Sequence, residues 1–129
     1  YDLIRTNYQV KNIAVIITAS HCLPMSSGVM GIGIGYYGLE PCYSYKNKED
    51  IFGRLFHYSS TNIIDSLAAM GNFFMGEGSE QTPIIIVREI QTHYAHLIFC
   101  EHSKQDFWIN REEDMFYPFL KNMKKGKAI

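Results

Sequence analysis

A mixed α+β (α/β) fold is the class this sequence predicts, and three features predict it. Two short β-branched runs, residues 12–18 and 84–87, have the composition of strands buried on both faces. Gly31, Gly33 and Gly35 alternate with Ile32 and Ile34, which is the period of a strand. A single amphipathic stretch, residues 62–76, carries its own helix start and stop signals.

In chain order, residues 1–9 read as a helix end or loop anchored by Leu3 and Ile4. Residues 12–18 form the first strand, and the Ser-, His- and Pro-containing residues 19–28 form a loop on its end. The glycine strand follows over residues 28–36. Alternation puts its three glycines on one face, bare enough for a backbone, an aromatic ring or a ligand to approach; close packing is the simpler use. Residues 36–47 read as an aromatic-rich loop, residues 50–54 as a tight turn around Gly53, and residues 55–59 as a short strand. Asn62 and Asp65 make a capping pair for the helix, Ile63, Ile64, Leu67, Ala68, Gly71, Phe74 and Met75 its apolar stripe, and Gly76 its stop. An acidic loop over residues 76–83 leads to the strand at 84–87. A third strand is expected at 96–100, a C-terminal helix at 111–120 despite Pro118, and a basic tail at 121–129.

The chain has 129 residues, 47% of them apolar and 14% aromatic, enough to bury a core and too few for two domains, so residues 1–129 are read as one domain. A net charge of −1 with 19% charged residues argues against a nucleic-acid partner. No apolar run reaches the ~18 residues of a membrane span, and the opening Tyr1-Asp2-Leu3 does not resemble a secretory signal. Cys22, Cys42 and Cys100 are odd in number and lack CxxC spacing, which suits free thiols and a cytoplasmic setting. The missing initial Met suggests a trimmed or partial product.

Three constellations bear on chemistry. The adjacent pair Ser20-His21 lacks an orienting carboxylate and points away from hydrolase chemistry. His93, His96 and His102, near Cys100 and Glu101, are irregularly spaced for a metal site, and strand-end or surface histidines are the simpler reading. Glu77 and Glu80 lie in a helix-to-strand loop able to hold Mg²⁺ or Mn²⁺ against a nucleotide phosphate, although solvated acidic loops are commoner. Composition and spacing alone name no activity.

Motifs in order carry further. Residues 16–21, Pro24, residues 28–41, Tyr45, residues 50–54, 64–69, 75–83 and 113–116 together resemble the coenzyme F-420:L-glutamate ligase family, with the nearest branch that of folate-type γ-glutamyl ligases. The resemblance runs from about residue 10 to residue 120 and is similar to the C-terminal half of such a ligase. It implies an F-420 ligase-like fold, a central sheet with packed helices in an intertwined homodimer. It also implies GTP- and Mg²⁺- or Mn²⁺-dependent amide formation between the amino group of L-glutamate and a small acceptor carboxylate. Phosphorylation makes that carboxylate an electrophile, and the cations neutralise the phosphate charge.

The departures are equally specific. Where the family has a metal-binding Asp followed by Ser or Thr, this chain has Ala19 and then Ser20; alanine has no oxygen to coordinate a cation. Ser26 and Ser27 replace two basic residues of the related branch, and an N-terminal half has no counterpart. Ser20, Glu77 and Gln81 remain as nucleotide or metal candidates. Asp50, Arg54 and Asp65 also match, with structural roles in a turn and a helix cap as their simpler reading. The expectation is a ligase-like domain of impaired activity or a fragment of a longer ligase; the alternative is a non-catalytic dimerising or ligand-binding module that keeps the fold.

Overall fold

The computed structural model describes residues 1–88, 99–100 and 107–121, and the architecture is that of these residues. A short helix α1 (Asp2–Tyr8) precedes an antiparallel ribbon of β1 (Val15–Cys22) and β2 (Val29–Tyr37). A second ribbon, β3 (Cys42–Ser44) with β4 (Ser60–Asn62), runs directly into helix α2 (Ile63–Met75). A 3-10 turn (Arg111–Glu113) and a short helix α3 (Tyr117–Lys121) follow. The chain is therefore mixed α and β.

The β1–β2 ribbon is organised by its glycines. Ile17 pairs with Gly35 but Thr18 pairs with Gly33, so Ile34 is the extra residue of a bulge. The bulge reverses the face on which Gly35 falls. Gly31 and Gly33 lie beneath α2: a Cβ on Gly31 would meet the Ala68 carbonyl oxygen at 2.5 Å and Asn72 Cβ at 2.6 Å, and one on Gly33 would collide with Ile64 Cγ2. Gly35 faces the other way, where Ile17 Cδ1 lies 3.7 Å from the same construction. The three glycines thus do not share one face, and the two that share it admit a helix rather than a ligand.

α2 starts where its sequence says it should. Asn62 Oδ1 accepts the Asp65 backbone N–H at 3.0 Å, and Asn62 Nδ2 donates back to Asp65 Oδ2 at 2.7 Å. Gly76, at φ 78°, ends the helix with its N–H on the Asn72 carbonyl at 3.0 Å. The helix buries Ile63, Ile64 and Ala68, which join Leu39 in a small core lined by Ala14, Ile16, Tyr36, Tyr43, Leu67 and Phe107. No polar residue is buried among the described residues.

Several elements differ from expectation. β1 runs on to Cys22, leaving only residues 23–28 as loop, because the ladder is a backbone property and Met30 and Val29 continue to pair with His21 and Cys22. Residues 36–47 are not all loop, since β3 lies within them. Residues 55–59 form no continuous strand but bridge Glu49 through Leu55 and exchange backbone hydrogen bonds with residues 45–48 through Phe56 and Ser59 before β4 begins at Ser60. Residues 84–87 form no strand and pair with none among the described residues; Ile84 and Ile86 are exposed, and β-branched composition alone does not make a sheet. Of the strand expected at 96–100, Phe99 bridges Leu39, and residues 96–98 lie outside the described part. The expected helix at 111–120 is split between the 3-10 turn and α3. Asp114 Oδ1 accepts the Phe116 N–H at 2.8 Å in the intervening turn, and Pro118 has no N–H to extend a helix backwards. Residues 122–129 of the basic tail lie outside the described residues.

Candidate functional site

The candidate site forms where the far half of β1 passes the C-terminal end of α2. Ser20 pairs with Gly31, and cross-strand partners share a face, so Ser20 points to the side on which α2 packs. After Gly76 the chain turns back, and Ser20 Oγ donates to Glu77 Oε1 at 2.6 Å. These residues are 57 positions apart in sequence, and the absence of side chains on Gly31 and Gly33 lets the helix approach closely enough to join them. The Ser20 hydroxyl, and then the Asn72 side chain, hold the Glu77 carboxyl below its ordinary range against a small opposing desolvation. Glu80 turns back on its own loop: its Oε2 accepts the Gly78 N–H at 2.7 Å and lies against Gly76.

The other candidates do not converge there. Gln81 is exposed at φ 55°, at the exit of the acidic loop. Asp65 caps α2, and its Oδ1 also accepts the Gly33 backbone N–H at 2.9 Å, tying the helix start to the bulged strand. Asp50 closes the hairpin tip. Its Oδ1 accepts the N–H groups of Phe52 at 2.8 Å and Arg54 at 2.9 Å, and its Oδ2 meets Arg54 Nε at 3.0 Å. The Arg54 backbone N–H lowers the Asp50 pKa most, partly opposed by desolvation and reinforced by the Phe52 N–H and the Arg54 side chain.

Ala19 sits within the paired strand opposite Ile32, and strand alternation points it away from Ser20. Ser26 and Ser27 are exposed in the residue 23–28 loop. Among the described residues the local donor set is thus one hydroxyl and one carboxylate already bonded to each other, with the Asn72 amide also on that carboxylate. Mg²⁺ takes near-octahedral oxygen coordination, with carboxylates as its charged ligands. Among the described residues no three His, Cys, Asp or Glu side chains gather as such a set. The residues present do not by themselves fit the divalent cation that the family resemblance implies.

Ser20 and His21 are consecutive strand residues and point to opposite faces, which separates them as a catalytic pair. The group His93, His96 and His102 lies outside the described residues. The three cysteines are free thiols. Asn72 was not singled out by sequence reasoning. Its signal is a polar residue inside the apolar run from Ala68 to Met75, on the helix face packed against Gly31.

Residues 3–89 match the family described as F420-0:gamma-glutamyl ligase. The coenzyme F420:L-glutamate ligase of Methanocaldococcus jannaschii is 35% identical over 106 residues, which cover 82% of this chain and 41% of that protein. The corresponding protein of Methanococcus maripaludis is 32% identical over 106 residues, with 82% and 41% covered. That of Archaeoglobus fulgidus is 29% identical over 111 residues, with 86% and 42% covered. The chain spans about two fifths of the length of these relatives. No helix among the described residues is long and apolar enough to cross a membrane. A match over residues 3–89, joined to the fold and motif order above, places this chain in the F420-0:gamma-glutamyl ligase family.

Proposed function

We propose that this chain is a γ-glutamyl-ligase-like domain, related to enzymes that join L-glutamate to the acceptor carboxylate of an F420-type molecule, and that by itself it is impaired in that reaction. In the full reaction GTP supplies the phosphoryl group that activates the acceptor, and Mg²⁺ or Mn²⁺ balances the phosphate charge. What this chain brings is Ser20 and Glu77, held together across the β1–α2 junction, with Gln81 at the exit of the same loop. The single observation behind the impairment is the donor set: Ala19 provides no oxygen, and among the described residues the cluster holds one carboxylate, Glu77, with the Ser20 hydroxyl and the Asn72 amide.

The test is phosphate release from GTP by the purified chain with MnCl₂, L-glutamate and F420-0. No glutamate-dependent phosphate above the protein-free background is expected; turnover would overturn the impairment. A second reading, a homodimerising or ligand-binding module without catalysis, is favoured by one observation. The ribbon face away from α2 exposes Ile17, Met30, Ile34 and Tyr37 together, an apolar surface suited to a partner.

A further inference from the structure

Every residue from 77 to 84 is exposed, so no buried apolar side chain anchors the loop that follows α2. Two of its hydrogen bonds are internal and travel with it. The Gly78 N–H donates to Glu80 Oε2 at 2.7 Å, and Thr82 Oγ1 donates to the Glu80 carbonyl at 3.1 Å. Among the described residues, the hydrogen bond that crosses from the loop to β1 is the one from Ser20 Oγ to Glu77 Oε1. Asn72, on the last turn of α2, meets the same carboxyl from the helix side. Glu77 sits between two glycines. Gly76 adopts φ 78°, and neither glycine has a side chain to restrict rotation, so the backbone can swing at this point.

The crossing bond occupies both of its partners. The Ser20 hydroxyl has one proton, and that proton lies on Glu77. Ser20 first, and then Asn72, hold the carboxyl below its ordinary range, so it remains an anionic acceptor at neutral pH. We propose that the Ser20–Glu77 bond is a latch that closes the loop of residues 76–83 on β1, and that a ligand of this pair enters only after the loop has swung away. The proposal rests on reading this junction as the ligase site, and it adds the regulation of that site. The closed form is occupied by its own side chains, and a ligand binds the open fraction alone. One exposed hydrogen bond to a carboxylate favours the closed form by roughly 3- to 10-fold, a bias that binding energy can reverse.

Limited digestion of the chain with a glutamate-specific endoprotease reads the open fraction, because cutting requires the loop to leave β1. No nucleotide, free glutamate or metal is present, so the result is independent of the ligase reading. In Ser20→Ala the initial rate of cutting after Glu80 rises by roughly 3- to 10-fold. Glu77→Ala gives the same rise, and the double variant gives no further rise, since both changes remove one bond. Cutting after Glu49, an exposed residue of the hairpin around Gly53, reports general loosening and stays constant. The latch is overturned if Ser20→Ala leaves the cut after Glu80 unchanged, if the cut after Glu49 rises with it, or if the double variant is cut faster than either single one.

Discussion

At the scale of single residues, the two glycines under α2 set how closely helix and ribbon approach. Gly31→Ala meets a backbone carbonyl that cannot move independently of α2, and Gly33→Ala meets Ile64, a fully buried β-branched side chain. Each is predicted to cost about 1–3 kcal/mol by overpacking, with Gly31→Ala the greater, read as a lower urea midpoint. The third glycine is different, because its would-be Cβ meets only Ile17 at ordinary contact distance; Gly35→Ala should be nearly silent. The alternation of glycines was legible in the sequence, but their division between faces was not, since a bulge is decided by pairing register. Glu77 gives a second prediction at this scale. Its folded pKa is depressed, chiefly by the Ser20 hydroxyl, so the contribution of this contact is present above the ordinary carboxylate pKa and is lost as pH falls through the folded value. In Ser20→Ala, a carboxyl-carbon NMR titration should move the Glu77 midpoint upward; an unchanged midpoint would mean that the hydroxyl does not set it.

At the scale of elements, α2 is the part most fully written in the sequence. Its cap and terminal glycine fall where the sequence puts them, and the expected stripe is buried at Ile63, Ile64, Ala68 and Gly71, whereas Phe74, also expected on it, is exposed. The strands were less legible. β1 continues through Ala19, Ser20 and His21 because β2 offers partners, and no local composition announces that. Residues 84–87 have strong strand composition and no strand, the same lesson in reverse. The added role of Asp65, accepting the Gly33 N–H, was likewise hidden, because it joins residues 32 apart. Asp65→Ala is predicted to destabilise by about 1–3 kcal/mol, more than an ordinary cap loss, since it also leaves a partly buried strand N–H without its acceptor. Asp65→Asn, which keeps an acceptor oxygen, should recover part of the loss in chemical denaturation. Equal effects of Ala and Asn would show that the Gly33 contact contributes nothing.

At the scale of the whole molecule, the chain covers about two fifths of its ligase relatives and carries a small core with a large apolar exterior. The family was legible because several motifs stand in order. The assembled chemistry was legible only in part: Ser20 and Glu77 come together, whereas Asp50, Arg54 and Asp65 are occupied in a turn and a cap. The exposed ribbon face predicts self-association, visible by light scattering as a dimer or larger species. Charge placed on that face, as in the pair Ile17→Lys and Ile34→Lys, should weaken it without unfolding α2. A clean monomer at high concentration would remove the case for that interface.

Thermal unfolding of the chain with GTP and MnCl₂, alone and together, bears most directly on the claim that the isolated domain lacks a place for the cation that nucleotide chemistry needs. A ligand present at 100 times its Kd stabilises the folded state by about 2.7 kcal/mol, a rise in Tm of several degrees. The account predicts no rise in Tm with millimolar amounts of both. A rise that requires GTP and Mn²⁺ together, and that disappears in Glu77→Ala, would contradict it.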